Sequence, residues 1–93
     1  MPTSGVEESA MRLLGAFHDL SGGKPTEPVF LGRPGSPPTE GAANAAGLDF
    51  GSTELDVALR YLIDQGLVDE AEEPDSYKIT VSGIDKARAA RGA

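Results

Sequence analysis

Five of the seven prolines, Pro25, Pro28, Pro34, Pro37 and Pro38, fall within a stretch of 14 residues. Proline lacks the amide hydrogen and clashes with the preceding helical turn, so no helix can run through this stretch. It divides the chain into a part before position 22 and a part after position 38. A length of 93 residues suits a single domain, 1–93, so both parts must close one core. That core is small, because a chain of this size buries only about 60–65% of its unfolded surface. Residues 22–38 are therefore read as a Pro/Gly-rich connection. Within it, Val29, Phe30 and Leu31 form an apolar run beside Pro28. The expected element is one short edge strand at 28–31, the place in a sheet where proline is tolerated.

Before the connection, Ser4 and Glu7 have the spacing of a capping box. Val6, Ala10, Leu13, Leu14 and Phe17 recur at helical spacing, and Leu20 extends the stripe. A helix at about 5–21 is predicted, stopped by Gly22 and Gly23. Glu8 and Arg12, four apart, are expected to pair on its outer face. After the connection, Thr39 is expected to cap a short helix through Ala42, Ala43, Ala45 and Ala46 to Gly47. Leu48 and Phe50 are expected to plug the core. A third helix is predicted at 53–65, with Leu55, Ala58, Leu59, Leu62 and Ile63 inward and Gly66 as its cap. Leu67-Val68 and Tyr77 to Val81 read as strands, joined by a loop that contains Pro74. Ser82 is expected to cap a last helix with Ile84 and Ala87 inward.

The predicted fold is α+β, in the order helix-strand-helix-helix-strand-strand-helix, with a small antiparallel sheet. The run Ala58-Leu59-Arg60-Tyr61-Leu62-Ile63-Asp64-Gln65-Gly66-Leu67-Val68 resembles a recognition helix running into the first strand of a wing. Tyr77-Lys78-Ile79-Thr80-Val81-Ser82-Gly83 resembles the second wing strand and the turn after it. Over roughly residues 39–90 the chain resembles the winged-helix superfamily, and bacterial winged-helix regulators in particular. The resemblance implies that helix 53–65 enters the major groove of DNA. On that reading the chain is a transcriptional regulator, dimeric if two copies are needed to assemble a basic surface. Its DNA contacts would come from Thr53, Arg60, Lys78, Lys86, Arg88 and Arg91. The long connection before the second helix and the turn Gly47–Gly51 depart from a tight helix-turn-helix.

Charge opposes DNA. The chain carries 15 Asp and Glu against 8 Lys and Arg, a net charge of −7. Between Leu48 and Val81 stand nine acidic residues and only Arg60 and Lys78, so this segment holds the whole surplus. Affinity for phosphates comes from Lys and Arg, and a carboxylate close to a phosphate costs about 1 kcal/mol in water. Arg60 has Asp56 and Asp64 four residues to either side and is expected to pair with them. The first reading is therefore a non-catalytic module for protein–protein interaction or self-association. Its expected faces are the outer side of helix 53–65, with Thr53, Val57, Arg60, Tyr61 and Asp64, and the first helix around Met11 and Gly15. Val57 and Tyr61, four apart, are expected to form an exposed apolar pair, and tyrosine is favoured at interfaces.

Signals of catalysis fail one by one. There is no Cys, and His18 is the single histidine, which leaves no thiolate chemistry and no His-rich metal site. Ser21-Gly22-Gly23-Lys24 lacks the leading glycine of a phosphate loop and follows a helix rather than a strand. In Asp69–Asp75, Pro74 stands where a calcium loop requires glycine. No catalytic residue, cofactor, metal or small-molecule substrate is expected. No apolar run approaches the roughly 18 residues of a membrane span, and Met1–Leu14 lacks the pattern of a secretion signal. The expected location is cytoplasmic.

Overall fold

The computed structural model describes residues 2–25, 27–32, 41–48 and 53–90, with side chains from Gly5 onward. Helix α1 spans Pro2–Ser21. It starts before the expected cap, so Ser4 lies inside the helix; Pro2 suits a first turn whose amide would be unbonded anyway. Ala10, Leu13, Leu14 and Phe17 are completely buried. Each large side chain of this stripe contributes about 1.5–3 kcal/mol on burial. Leu20, expected to extend the stripe, is 39% exposed, because it edges a groove whose other walls are short alanines of α2 and α4.

Strand β1 is Pro28–Phe30, and helix α2 is Ala42–Ala46. Thr39, the expected cap of α2, lies outside the described residues, as do Phe50 and Arg91. The cap position is instead Gly41, whose extended backbone offers no side-chain bond. A Cβ on Gly41 would collide with the backbone of Gly32, and the Ala43 amide donates to the Leu31 carbonyl at 2.9 Å. The chain just before and just after residues 33–40 is thus bonded together. A longer connection between these points therefore costs the fold little more.

Helix α3 is Thr53–Asp64, with Leu55, Ala58 and Leu62 buried. Gly66 ends it in the left-handed conformation, φ 72°. The Leu67 amide reaches back to the Leu62 carbonyl at 2.9 Å, and the Gly66 amide to Ile63 at 3.0 Å. This glycine cap turns the chain straight into strand β2, Val68–Glu70. Strand β3 is Ser76–Ile79. The sheet has the order β1-β3-β2, with both pairings antiparallel. Val29 and Glu70 both oppose Tyr77, and Val68 opposes Ile79. Val29, Val68 and Ile79 lie in the core.

Helix α4 is Val81–Ala90. Two sequence expectations shift here: β3 ends at Ile79 rather than Val81, and Ser82 is not the cap. Thr80 takes that role. Its hydroxyl accepts the Gly83 amide at 3.0 Å and donates to the Gly66 carbonyl at 2.7 Å. A Cβ on Gly83 would collide with the Leu67 carbonyl, so only glycine lets α4 settle on the turn before β2. Ile84 and Ala87 are buried, as expected. Helix α1 is the hub, packing against α2, α3, α4, β1 and β3. The protein is an α+β fold of four helices and a small three-stranded antiparallel sheet among the described residues.

Candidate functional site

Helix α3 faces different neighbours on its two flanks. On one flank Glu54 reaches α1: it accepts the hydroxyl of buried Ser9 at 2.6 Å and meets Arg12 at 3.6 Å. Arg12 therefore pairs across to α3, not with Glu8 in its own helix. A carboxylate already held in place by buried Ser9 is a better partner than a free one four residues away, because less rotamer freedom is lost in the pairing. Nothing local predicts this contact, since Ser9 and Glu54 are 45 residues apart.

Tyr61 lies toward this same flank by helical phase. It is half-buried and packs against the core, so the exposed Val57–Tyr61 pair expected from the sequence does not form. The reason is the helical phase of Tyr61, about 60° from buried Ala58. Val57 alone is exposed, at 38%, and Thr53, Arg60 and Asp64 are exposed around it.

The other flank meets the β2–β3 hairpin. Here Leu59 and Ile63 of α3 are half-buried and, with Tyr77 of β3, floor an open groove of about 540 Å³. Asp56, Arg60, Asp64 and Glu70 complete its lining. Glu70 and Tyr77 are cross-strand partners, on the same sheet face as core residues Val68 and Ile79 and one pair further along the hairpin. Tyr77 spans both environments. Its ring meets Phe17 edge-on, with centroids 6.1 Å apart and planes at 70°, while its phenol lies among carboxylates. Burial pushes the phenol above its ordinary pKa, and Glu70 and then Asp75 push it further the same way.

Arg60 is the cation of this groove. The expected ion pairs with Asp56 and Asp64 are not formed: among the described residues the arginine that meets a carboxylate is Arg12, at Glu54. An exposed arginine gains little from such a pair and loses rotamer freedom in making it. Around the hairpin turn Asp69, Glu72, Glu73 and Asp75 are exposed. Asp75 holds the turn in the left-handed conformation, φ 58°. Lys78 is half-buried on β3, in register with Asp69 of β2 and Pro28 of β1.

Met11 and Gly15 line a different groove, of about 680 Å³. Its walls are small and apolar: Ala16 of α1, Ala45 and Ala46 of α2, and Ala87 and Ala90 of α4. Leu20 and the charged Glu8, Arg12 and Asp19 edge it. His18 is not part of it. Lys86 and Arg88 are exposed on α4, apart from the α3–hairpin groove. The structure thus separates the candidate DNA-contacting residues: Thr53 and Arg60 lie on α3, Lys78 on the sheet face opposite the groove residues Glu70 and Tyr77, and Lys86 and Arg88 on α4.

Among the described residues no three His, Cys, Asp or Glu side chains are grouped to hold a metal ion. No described helix is long and apolar enough to cross a membrane. No protein-family model matches the chain, and no curated protein or solved structure matches it either.

Proposed function

We propose that the chain is a winged-helix module that binds protein, and that it has no catalytic role. The sheet order β1-β3-β2, with β1 between α1 and α2 and the hairpin directly after α3, is the arrangement expected of that fold. One observation carries the functional half: from Thr53 to Ile79 eight Asp and Glu stand against Arg60 and Lys78. The helix and wing that would meet DNA in such a fold therefore repel phosphate. The fold alone does not assign the partner. The α3–hairpin groove serves association with another protein, and the small-residue groove beside Met11 and Gly15 serves association between copies. A cytoplasmic location belongs to this reading.

The test is titration of a fluorescent duplex DNA at low and near-physiological salt, alongside sedimentation of the protein alone. The expected result is no binding at near-physiological salt. Tight binding that falls steeply with salt and disappears in Arg60→Ala would replace this reading with the DNA-binding regulator.

A further inference from the structure

The α3–hairpin groove has a floor and a rim that ask for opposite things from one occupant. We infer that it takes a basic segment of another protein, one that presents Lys or Arg around a single apolar side chain. This deepens the reading of the module as protein-binding and rests on it. Leu59, Ile63 and the ring of Tyr77 form an apolar floor open to solvent, a surface that gains by covering. Asp56, Asp64 and Glu70 around it outnumber Arg60. Exposed Asp69, Glu72, Glu73 and Asp75 continue the same sign along the hairpin. An acidic or neutral apolar segment would leave this field uncompensated, whereas a cationic one is drawn in by it and held in register.

The backbone of the groove's edge strand points to docking through side chains rather than strand addition. β2 is an edge of the sheet. The bonds from Ala71 to Ser76 and from Thr80 to Leu67 set the ladder so that the Glu70 amide faces away from β3. The Asp69 carboxylate accepts that amide at 3.0 Å, which blunts the edge against a pairing strand. A second copy of the chain brings its own acidic α3 and hairpin. Its exposed cations away from that face are scattered among the described residues: Arg12 meets Glu54, Lys24 follows α1, and Lys86 and Arg88 lie on α4, where the exposed large apolar residue, Val81, is about two turns from Arg88.

The experiment uses a fluorescein-labelled amphipathic peptide of Lys and Leu, with a peptide of Glu and Leu as its counterpart, read by anisotropy. The expected result is binding of the Lys peptide alone, weakened by salt. Asp64→Lys with Glu70→Lys should weaken it about tenfold or more. Glu72→Lys with Glu73→Lys changes net charge equally but lies outside the groove, and should weaken it about threefold or less. Ala45→Glu, in the other groove, should change nothing. All three variants alter exposed residues, and circular dichroism confirms their folding.

Equal loss in the two charge-reversed pairs would overturn the proposal in favour of diffuse attraction. Loss in Ala45→Glu alone would move the site to the other groove and overturn it too. Concentration-dependent association abolished by Lys86→Glu with Arg88→Glu would make the occupant a second copy instead. If neither peptide binds and duplex DNA also fails to bind, this inference falls while the protein-binding reading stands. If duplex DNA binds, both fall.

Discussion

The two grooves of this protein differ in how they come to be empty. The one beside α1 is hollow because its walls are small: alanines of α2 and α4 stop short of Met11, Gly15 and Leu20. The one beside α3 opens where burial falls off along the hairpin. Val68 and Ile79 are buried, while in the next pair Tyr77 is half-buried against Phe17 and Glu70 is exposed. The first is a gap in packing and is nearly sign-balanced at its edge. The second lies at the margin of the core, on which its floor residues Leu59 and Tyr77 pack, and carries the acidic surplus. Its exposed rim residues Asp56, Asp64 and Glu70 can change without touching the core.

The largest expected effect tests whether the two regions share one core. Phe17 is completely buried and touches Tyr77 edge-on, so it lies under the helical side and props the hairpin side. Phe17→Ala should cost about 4 kcal/mol. In chemical denaturation both regions should unfold in one transition. Two separate transitions, with the hairpin lost first, would divide the core into two units.

Gly83→Ala should rank next, at about 2–3 kcal/mol of lost stability. The added methyl meets the Leu67 carbonyl and Ile79, so α4 must move off the turn that launches the hairpin. Gly5→Ala, in the same residue type on α1, meets nothing within 4 Å. It should leave stability unchanged or raise it by up to about 1 kcal/mol. Thermal melts of the two variants should therefore shift in opposite directions or differ by the whole of the first effect.

How much of this was legible beforehand depends on whether the physics is local. The order of elements was, because prolines, glycine caps and apolar spacing act over a few residues. The buried Ala10, Leu13, Leu14 and Phe17 of α1, Leu55, Ala58 and Leu62 of α3, and the inward Ile84 and Ala87 follow from the same periodicity, while Leu59 and Ile63, expected inward, are half-buried and Leu20 is exposed. The acidic bias of α3 and the hairpin is a property of the sequence itself. The cap of α4 was misplaced by two residues because Ser82 is as good a cap in isolation as Thr80, and only the nearby Gly66 carbonyl distinguishes them. The Ser9–Glu54 contact required knowing which flank of α3 meets α1, whereas the half-burial of Tyr61 follows from its helical phase next to Ala58. The α3–hairpin groove was the least legible: it depends on strand register, where one step decides whether a residue is buried.

A smaller effect sharpens the contrast between the flanks of α3. Glu54→Gln keeps the shape but removes the charge that Arg12 meets and weakens the bond from buried Ser9. The expected loss is about 1 kcal/mol, most of it from the hydrogen bond, since Arg12 and Glu54 are about half exposed. The loss should shrink little in high salt. Asp56→Asn, on the groove flank, should be neutral in the same denaturation assay.

The smallest effect lies at the tip of the hairpin. Asp75 adopts φ 58°, a conformation that costs a residue with a Cβ more than glycine. Asp75→Gly should therefore stabilise the fold by about 0.5 kcal/mol. It should also lower the raised pKa of Tyr77, by removing one of the two charges that add to burial. The sign for stability follows from the direction. Tyr77 holds its proton more tightly when folded than when unfolded. Stability is therefore unaffected while both forms stay protonated, and declines as pH rises past the ordinary tyrosine value near 10. In a Tyr61→Phe background Tyr77 is the only tyrosine, and its ionisation can be followed by ultraviolet absorbance. Asp75→Gly should bring that titration to lower pH and reduce the alkaline loss of stability. An unmoved titration would mean that the hairpin tip does not bear on the groove, and that the field around Tyr77 comes from Glu70 and burial alone.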